Sequence, residues 1–151
     1  MPCAWRRTRL PAAEAARQKV SYRPDSVRVM DLKLELLAVP VSDVDRAKAF
    51  YVDKVGFNAD HDHRVNESLR FVQLTPPGSA CSIAIGEGIT TMAPGSLEGL
   101  QLVVDDADKA RDEFRARGLE VGDVEELPWG RFVYFKDPDG NSWNVQQVVR
   151  G

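Results

Sequence analysis

The chain has 151 residues, of which 43% are hydrophobic and 28% charged, so it is long enough for one domain with its own core. Residues 1–30 carry a net charge of +5 and the remainder −8, and so acidic a body argues against nucleic acid as the main partner. No stretch approaches the roughly 18 apolar residues of a membrane span, and Cys3 and Cys81 form no disulfide framework, so we expect a cytoplasmic protein.

Residues 1–30 are predicted to be a basic extension outside a single domain formed by residues 31–151. A short helix is expected at 11–17. The basic residues are scattered along the segment, with no amphipathic pattern that would favour a membrane surface. Met30 stands directly before the first predicted strand and is an alternative start of the natural chain.

Residues 32–86 are predicted to form one strand, one helix and three further strands. Ser42 is the expected N-cap of the helix, and Gly56 ends it. Apolar residues recur at helical spacing at Val44, Ala47, Tyr51 and Val55. The strands are expected at 32–39, 57–65, 69–74 and 81–85.

Residues 98–150 are predicted to repeat this plan after a connecting loop. A strand at 99–104 precedes a helix capped by Asp105 and ended by Gly118, with Ala107, Ala110 and Phe114 on its apolar face. Residues 119–121 are expected to begin the next strand. The last two strands, 131–135 and 142–148, form a hairpin around the turn Asp137-Pro138-Asp139-Gly140.

An internal repeat supports two modules. An offset of 63 residues carries Asp43 to Asp106 and Tyr51 to Phe114, and an offset of 62 then carries Pro76 to Pro138. Each βαβββ module is too small to close a core alone, so the two must pack together.

Several motifs resemble those of the vicinal oxygen chelate superfamily of glyoxalases, bleomycin-resistance proteins and extradiol dioxygenases. They are Val39 to Tyr51, Val55 to Phe57, Val104 to Asp106, and Phe135 to Asn141. The resemblance implies an α+β fold in which two βαβββ modules form a cupped mixed sheet with helices on its outer face, commonly in a homodimer. Whether the modules pair within one chain or across two is open.

Strand alternation predicts which residues line the cup. Three apolar sets should face the helices: Leu100, Leu102 and Val104; Cys81, Ile83 and Ile85; and Trp143 and Val145. The opposite face is small and polar, as in a ligand cavity, and contains Ser82, Ala84, Gly99, Gln101, Val103, Ser142, Asn144 and Gln146. Tyr51 and Phe114 are expected in the core.

The resemblance also implies where metal-dependent members carry their ligands. Those positions correspond to Leu36, Ser82, Gly99 and Asn144, which are absent or poor ligands, so no metal and no cofactor are expected. The chain's only histidines, His61 and His63, would share one face of a strand and could bind a metal there. No third ligand can be named, and a solvated edge strand or loop is favoured.

The favoured function is metal-free binding of a small organic molecule in the cup, similar to the antibiotic-sequestering branch of the superfamily. The expected contacts are Ser82, Gln101, Asn144 and Gln146, with Arg131 and Tyr134 as the best reactive side chains. A rim charge is the alternative for Arg131, and Trp129 is either a lid or a packing residue. The alternative is a lyase, isomerase or dioxygenase-type enzyme that uses a relocated metal site or no metal.

Overall fold

The computed structural model of the chain describes residues 30–148, and a compact unit begins at Leu34. The basic charges and the helix predicted in the N-terminal extension lie outside the described residues. No helix among residues 30–148 is long and apolar enough to cross a membrane.

The order of the elements confirms the two βαβββ modules. In the first module α1 continues directly into a π-helical segment, Phe50–Val55. The elements are β1 (Leu36–Ala38), α1 (Val44–Ala49), β2 (Asn58–Asn66), β3 (Leu69–Thr75), β4 (Ser82–Glu87), β5 (Leu100–Val104), α2 (Ala107–Ala116), β6 (Glu125–Leu127), β7 (Gly130–Lys136) and β8 (Ser142–Val148).

Each module builds its own four-stranded mixed sheet. The strand orders are β1-β4-β3-β2 and β5-β8-β7-β6, so the same topology occurs twice. In each sheet the first strand runs parallel to the last strand of its module, and the other pairs are antiparallel. The α+β fold is confirmed, although within residues 30–148 no strand of one sheet pairs with a strand of the other.

The helix caps differ from the prediction by one residue in both modules. Asp43, not Ser42, caps α1, and its Oδ1 accepts a hydrogen bond from the backbone N of Arg46 at 3.0 Å. Asp106, not Asp105, caps α2 by accepting from the backbone N of Asp108 and Lys109. Ser42 has a different partner, since its hydroxyl donates to Asp139 in the turn of the second module.

Two strand predictions were wrong in extent. β1 covers only three residues, because Leu36–Ala38 is the part that pairs with Ser82–Ala84. No strand begins at residue 119. Leu119 is buried in the core instead, and its backbone N donates to Phe114 O at the end of α2.

One hydrophobic core holds the two modules together. Tyr51, from the π-helical segment, stacks on Phe57 with ring centroids 5.5 Å apart and packs against Trp143 at 5.7 Å. Phe114, from α2, packs against Phe135 at 5.8 Å. The core places of Tyr51 and Phe114 are therefore confirmed, and the alternate face of each sheet points away from this core. We call that alternate face the open face.

The turn between β7 and β8 fastens the second module to the first. Asn141 is buried, and its Nδ2 donates to Pro40 O at 2.8 Å. The Asp139 carboxylate accepts hydrogen bonds from the backbone N and the hydroxyl of Ser42. Asp137 Oδ2 accepts from the Tyr51 hydroxyl at 2.7 Å. These contacts fix both open faces relative to one core.

Candidate functional site

The open face of the second module brings together four of the residues that the sequence predicts as ligand contacts. Gln101 lies beside Asn144 in the β5–β8 register, Asn144 lies beside Tyr134, and Gln146 lies beside Phe132. These residues therefore form one contiguous patch.

Some side-chain amide groups of this patch form hydrogen bonds within the protein, and others have no partner among residues 30–148. Gln101 Nε2 donates to Gln146 Oε1, and Gln146 Nε2 donates to the Trp129 carbonyl at 3.1 Å. Gln146 is buried, whereas Gln101 and Asn144 are half-buried. Neither the Asn144 amide nor Gln101 Oε1 has a hydrogen-bond partner among residues 30–148, so these two groups can bind a ligand.

A pair of aromatic rings lies next to the amides. Phe132 and Tyr134 stack with their centroids 5.9 Å apart and an interplanar angle of 4°. Phe132 is buried, and Tyr134 is 38% exposed. Partial burial, and secondarily the charge of Glu125, raises the pKa of Tyr134 above its usual range, so its hydroxyl is a neutral donor at physiological pH. Tyr134 is therefore the accessible ring of the pair, with an apolar face and a polar tip, and Phe132 supports it from the buried side.

The open face of the first module contains the fifth predicted contact, Ser82. Its hydroxyl is buried and lies 2.6 Å from Thr75 Oγ1 and 3.3 Å from Gln73 Nε2, which donates to it. Ser82 is thus on the expected face, but part of its hydrogen-bonding capacity is already used within the sheet. The small residue Ala84 follows it on the same face.

Arg131 lies on the other side of β7 from Tyr134, because the two residues differ by an odd number of positions. Its Nη1 donates to Asp108 Oδ2 of α2 at 2.7 Å, and Nε lies 3.2 Å from Glu126 Oε1. The hydrogen bond to Asp108 raises the Arg131 pKa further above its usual range. Arg131 therefore does not lie on the open face with the other expected ligand contacts. It joins β7 to α2 through its ion pair with Asp108.

Four positions were matched to the metal-ligand positions of the superfamily, and the strand register corrects one of them. Leu100 is level with Trp143, which puts Gly99 level with Ser142 and two residues short of Asn144. In the first module Leu36 is level with Ser82, so the counterpart of Asn144 is Ala84 rather than Ser82. The β3–β4 connection is one residue longer than the β7–β8 connection, and this length difference invalidates the offset taken from the turn residues.

The residues at these corrected positions do not fit a catalytic metal. Leu36, Ala84 and Gly99 have no coordinating atom, and Asn144 offers one amide oxygen, whereas such a site needs about three ligands. No group of three His, Cys, Asp or Glu side chains in the described part of the chain is placed to bind one ion.

Comparisons with known proteins agree with this architecture. The family model of the Glyoxalase/Bleomycin resistance protein/Dioxygenase superfamily matches residues 33–145. The chain belongs to this superfamily. YetH, an uncharacterised protein of Bacillus subtilis (strain 168), is 31% identical over 115 residues, which cover 74% of this chain and 94% of YetH.

Two similar solved structures come from Streptomyces sp. CB03234. TnmS3, an antibiotic-binding protein, is 38% identical with a TM-score of 0.73, and the match covers 81% of this chain and all of TnmS3. A glyoxalase/bleomycin resistance protein is 40% identical with a TM-score of 0.67, and the match covers 76% of this chain and all of that protein.

Sequence reasoning missed Phe132, and it set aside the two histidines. Phe132 has the same parity as Tyr134, so strand alternation alone could have placed both rings on one face. His61 and His63 lie on β2, which is a strand as predicted, and their rings stack on one side of it. The sequence alone could not show whether the two histidines lie on the open face, because it does not reveal which side of β2 faces the core.

Proposed function

We propose that this protein binds a small, partly aromatic organic molecule on its open faces without using a metal. The observation that carries the proposal is the patch on the second module, where the free amide of Asn144 and the polar end of Gln101 adjoin the Phe132–Tyr134 ring pair. A planar ligand could stack on the exposed Tyr134 ring while the amides fix its orientation. The likeness to an antibiotic-binding protein supports this class of ligand.

The proposal favours binding over catalysis because of the residue types on the open faces. Superfamily enzymes of the metal-dependent kind need ligands where this chain has Leu36, Ala84 and Gly99. The second module offers amides and rings at the patch, and Tyr134 there keeps its proton at physiological pH. Such groups orient a ligand more readily than they transfer its protons.

We further propose that a second copy of the chain covers the open faces in a homodimer. Exposed apolar side chains stand on both faces: Leu36 is 37% exposed, Val65 63% and Val103 64%. A cavity needs walls on more than one side, and each sheet supplies one wall. A twofold arrangement that lays the first open face of one copy over the second open face of the other would bury these side chains and enclose the ligand.

Isothermal titration calorimetry with bleomycin and a panel of planar aromatic antibiotics tests the binding role. Gln101→Ala and Asn144→Ala should each weaken the binding of a compound found this way by about 1–3 kcal/mol, because each removes a hydrogen bond in a half-buried site. Glu98→Ala removes an exposed polar side chain in the segment between β4 and β5, outside both sheets, and should leave the affinity unchanged.

Two results would count against the proposal. One is that no compound in the panel binds. The other is a metal-dependent turnover of a glyoxalase-type or dioxygenase-type substrate that His61→Ala or His63→Ala abolishes. Metal analysis by mass spectrometry on protein purified without chelator accompanies the assay, since about one metal per chain would favour the enzyme.

A further inference from the structure

The two histidines of the chain lie on the open face of the first module. Their ring centroids are 5.8 Å apart with an interplanar angle of 24°. In the β2–β3 register His61 is level with Gln73 and His63 with Phe71. Gln73 is in turn level with Ala84 on β4, a residue of the open face. Both imidazoles therefore stand on the face that we propose for ligand binding.

The histidines differ from the other ionisable side chains of β2 in having no partner. Asp62 binds Arg70 and Lys48, Arg64 binds Glu87, and Asp60 accepts a hydrogen bond from Thr75. Neither imidazole forms a hydrogen bond or an ion pair with another residue in the part of the chain that the structure describes. The acidic residues and the arginine of β2 thus bind other residues of the fold, whereas the two aligned imidazoles are exposed.

The surface between β1 and the histidines is low over β4 and higher over β3. Ser82 and Ala84 of β4 are buried, whereas Gln73 and Phe71 of β3 are half-buried beside the histidines. Three strand spacings separate β1 from β2, which is about 14 Å. A flat ring system lying across β4 and β3 could therefore rest on the half-buried side chains of Gln73 and Phe71 and reach the imidazole edges.

We propose that His61 and His63 bind an acidic oxygen, a carboxylate or a phenolate, of an aromatic ligand lying across the first open face. This inference rests on the proposed binding function and narrows it to aromatic acids. Imidazole N–H groups donate to such an oxygen, and protonation adds a positive charge that strengthens the contact. The other titratable groups near the rings are engaged or lie on the far side of the sheet. Asp60 of β2 accepts a hydrogen bond from Thr75 of β3, and the helix side holds Asp62, Arg64, Arg70 and Glu87. Gln73 and Phe71 of β3, which face the rings, do not titrate.

The test uses two probes of the same shape, 2-naphthoate and 2-naphthamide, of which only the first carries an acidic oxygen. The full chain has two histidines, so imidazole proton signals in NMR report on these two residues alone. Naphthoate should raise the titration midpoints of both imidazoles, and naphthamide should leave them unchanged. A rise of one pH unit at one imidazole corresponds to about tenfold tighter binding to its protonated form.

Naphthoate should accordingly bind more tightly at about pH 6 than at about pH 8, a range across which imidazoles change charge. In the double variant His61→Gln and His63→Gln, this pH dependence should vanish and naphthoate should bind no more tightly than naphthamide. Arg64→Gln is the matched control, since it changes the next residue of the same strand on the opposite side and should keep the pH dependence.

Three results would overturn the inference. If naphthoate shifts the side-chain amide signals of Gln101 and Asn144 but leaves both imidazole midpoints unchanged, the binding function stands and the role of the histidines is refuted. If the pH dependence persists in the double variant, another group recognises the acid. If neither probe shifts any signal, the proposed binding of aromatic molecules fails together with the inference.

Discussion

At the scale of single residues, a buried network around Tyr51 links the two modules. The Tyr51 hydroxyl donates to Asp137 Oδ2 at 2.7 Å and accepts from Trp143 Nε1 at 3.0 Å. Asn141 Nδ2 also donates to Asp137 Oδ2, at 2.7 Å. Helical spacing predicts that Tyr51 is in the core, but not that its hydroxyl meets a carboxylate from a turn 86 residues away. That partner depends on how the modules pack, which a pattern within one module cannot reveal.

Replacing Tyr51 with Phe should destabilise the fold by roughly 1–3 kcal/mol, because the buried indole N–H of Trp143 would lose its acceptor. Tyr134→Phe is the control. Its hydroxyl has no partner in the described residues, so the loss should be within about 0.5 kcal/mol. Urea unfolding at one fixed protein concentration measures both variants. Equal losses for the two variants would show that the network around Tyr51 does not stabilise the fold.

The same residue predicts a loss of stability at alkaline pH. Burial, and then the charge of Asp137, raises the pKa of Tyr51 well above its usual range. In the unfolded chain tyrosine titrates at about pH 10, so the folded state holds this proton more tightly. The contribution is complete below about pH 10 and is lost as the pH rises beyond that value. Urea midpoints measured on both sides of about pH 10 should therefore fall further for the wild type than for Tyr51→Phe, and parallel falls would contradict the assignment.

At the scale of elements, alternation within a strand was predictable and register between strands was not. The helix-facing sets were identified from the sequence because apolar residues recur at every second position, as at Ile83 and Ile85. The counterpart of Asn144 was misassigned to Ser82 because the offset was taken from turn residues. Turn residues indicate where a hairpin reverses, whereas pairing depends on the length of the connection. The ends of β1 and β6 were likewise not predictable, because each strand extends only over the residues that pair with its neighbour.

An ion-pair cluster on the helix side of the first sheet predicts acid sensitivity. Arg70 donates to both Asp62 oxygens, at 3.0 and 2.8 Å, and Lys48 of α1 donates at 2.9 Å. The hydrogen bonds from Arg70, and then from Lys48, hold the pKa of Asp62 well below its usual range. This contribution is present above about pH 4, where an unfolded aspartate is ionised, and is lost as the pH falls below it.

Asp62→Asn should therefore cost about 1 kcal/mol or less at neutral pH, since the cluster is close to solvent. Its deficit relative to the wild type should shrink between about pH 4 and about pH 2. Glu98→Gln removes an exposed carboxylate that has no partner in the described residues, and it should show neither effect. Thermal unfolding across this pH range provides the comparison. A deficit that stayed constant with pH would mean that the charge of Asp62 does not contribute.

At the scale of the whole molecule, the fold and its superfamily could be predicted from the sequence. Which surface covers the open faces could not. The repeat identified two modules, and its motifs identified the superfamily that the family model confirms. How two sheets enclose a ligand depends on which surfaces meet, and an offset within one chain carries no information about a second chain. The cytoplasmic location and the homodimer accordingly stay predictions.

The homodimer makes a specific prediction at Val103, which is 64% exposed on the second open face. A lysine there would place a charge in the proposed interface, where burying an unpaired charge is costly. Val103→Lys should shift the chain from dimer to monomer in sedimentation analysis and should weaken ligand binding in parallel. Met92→Lys is the matched control, because Met92 is 40% exposed in the segment between β4 and β5, outside both sheets, and should leave the dimer intact. If Val103→Lys stays dimeric and binds as the wild type does, the open faces are not what a second copy covers, and the ligand must be held by one chain alone.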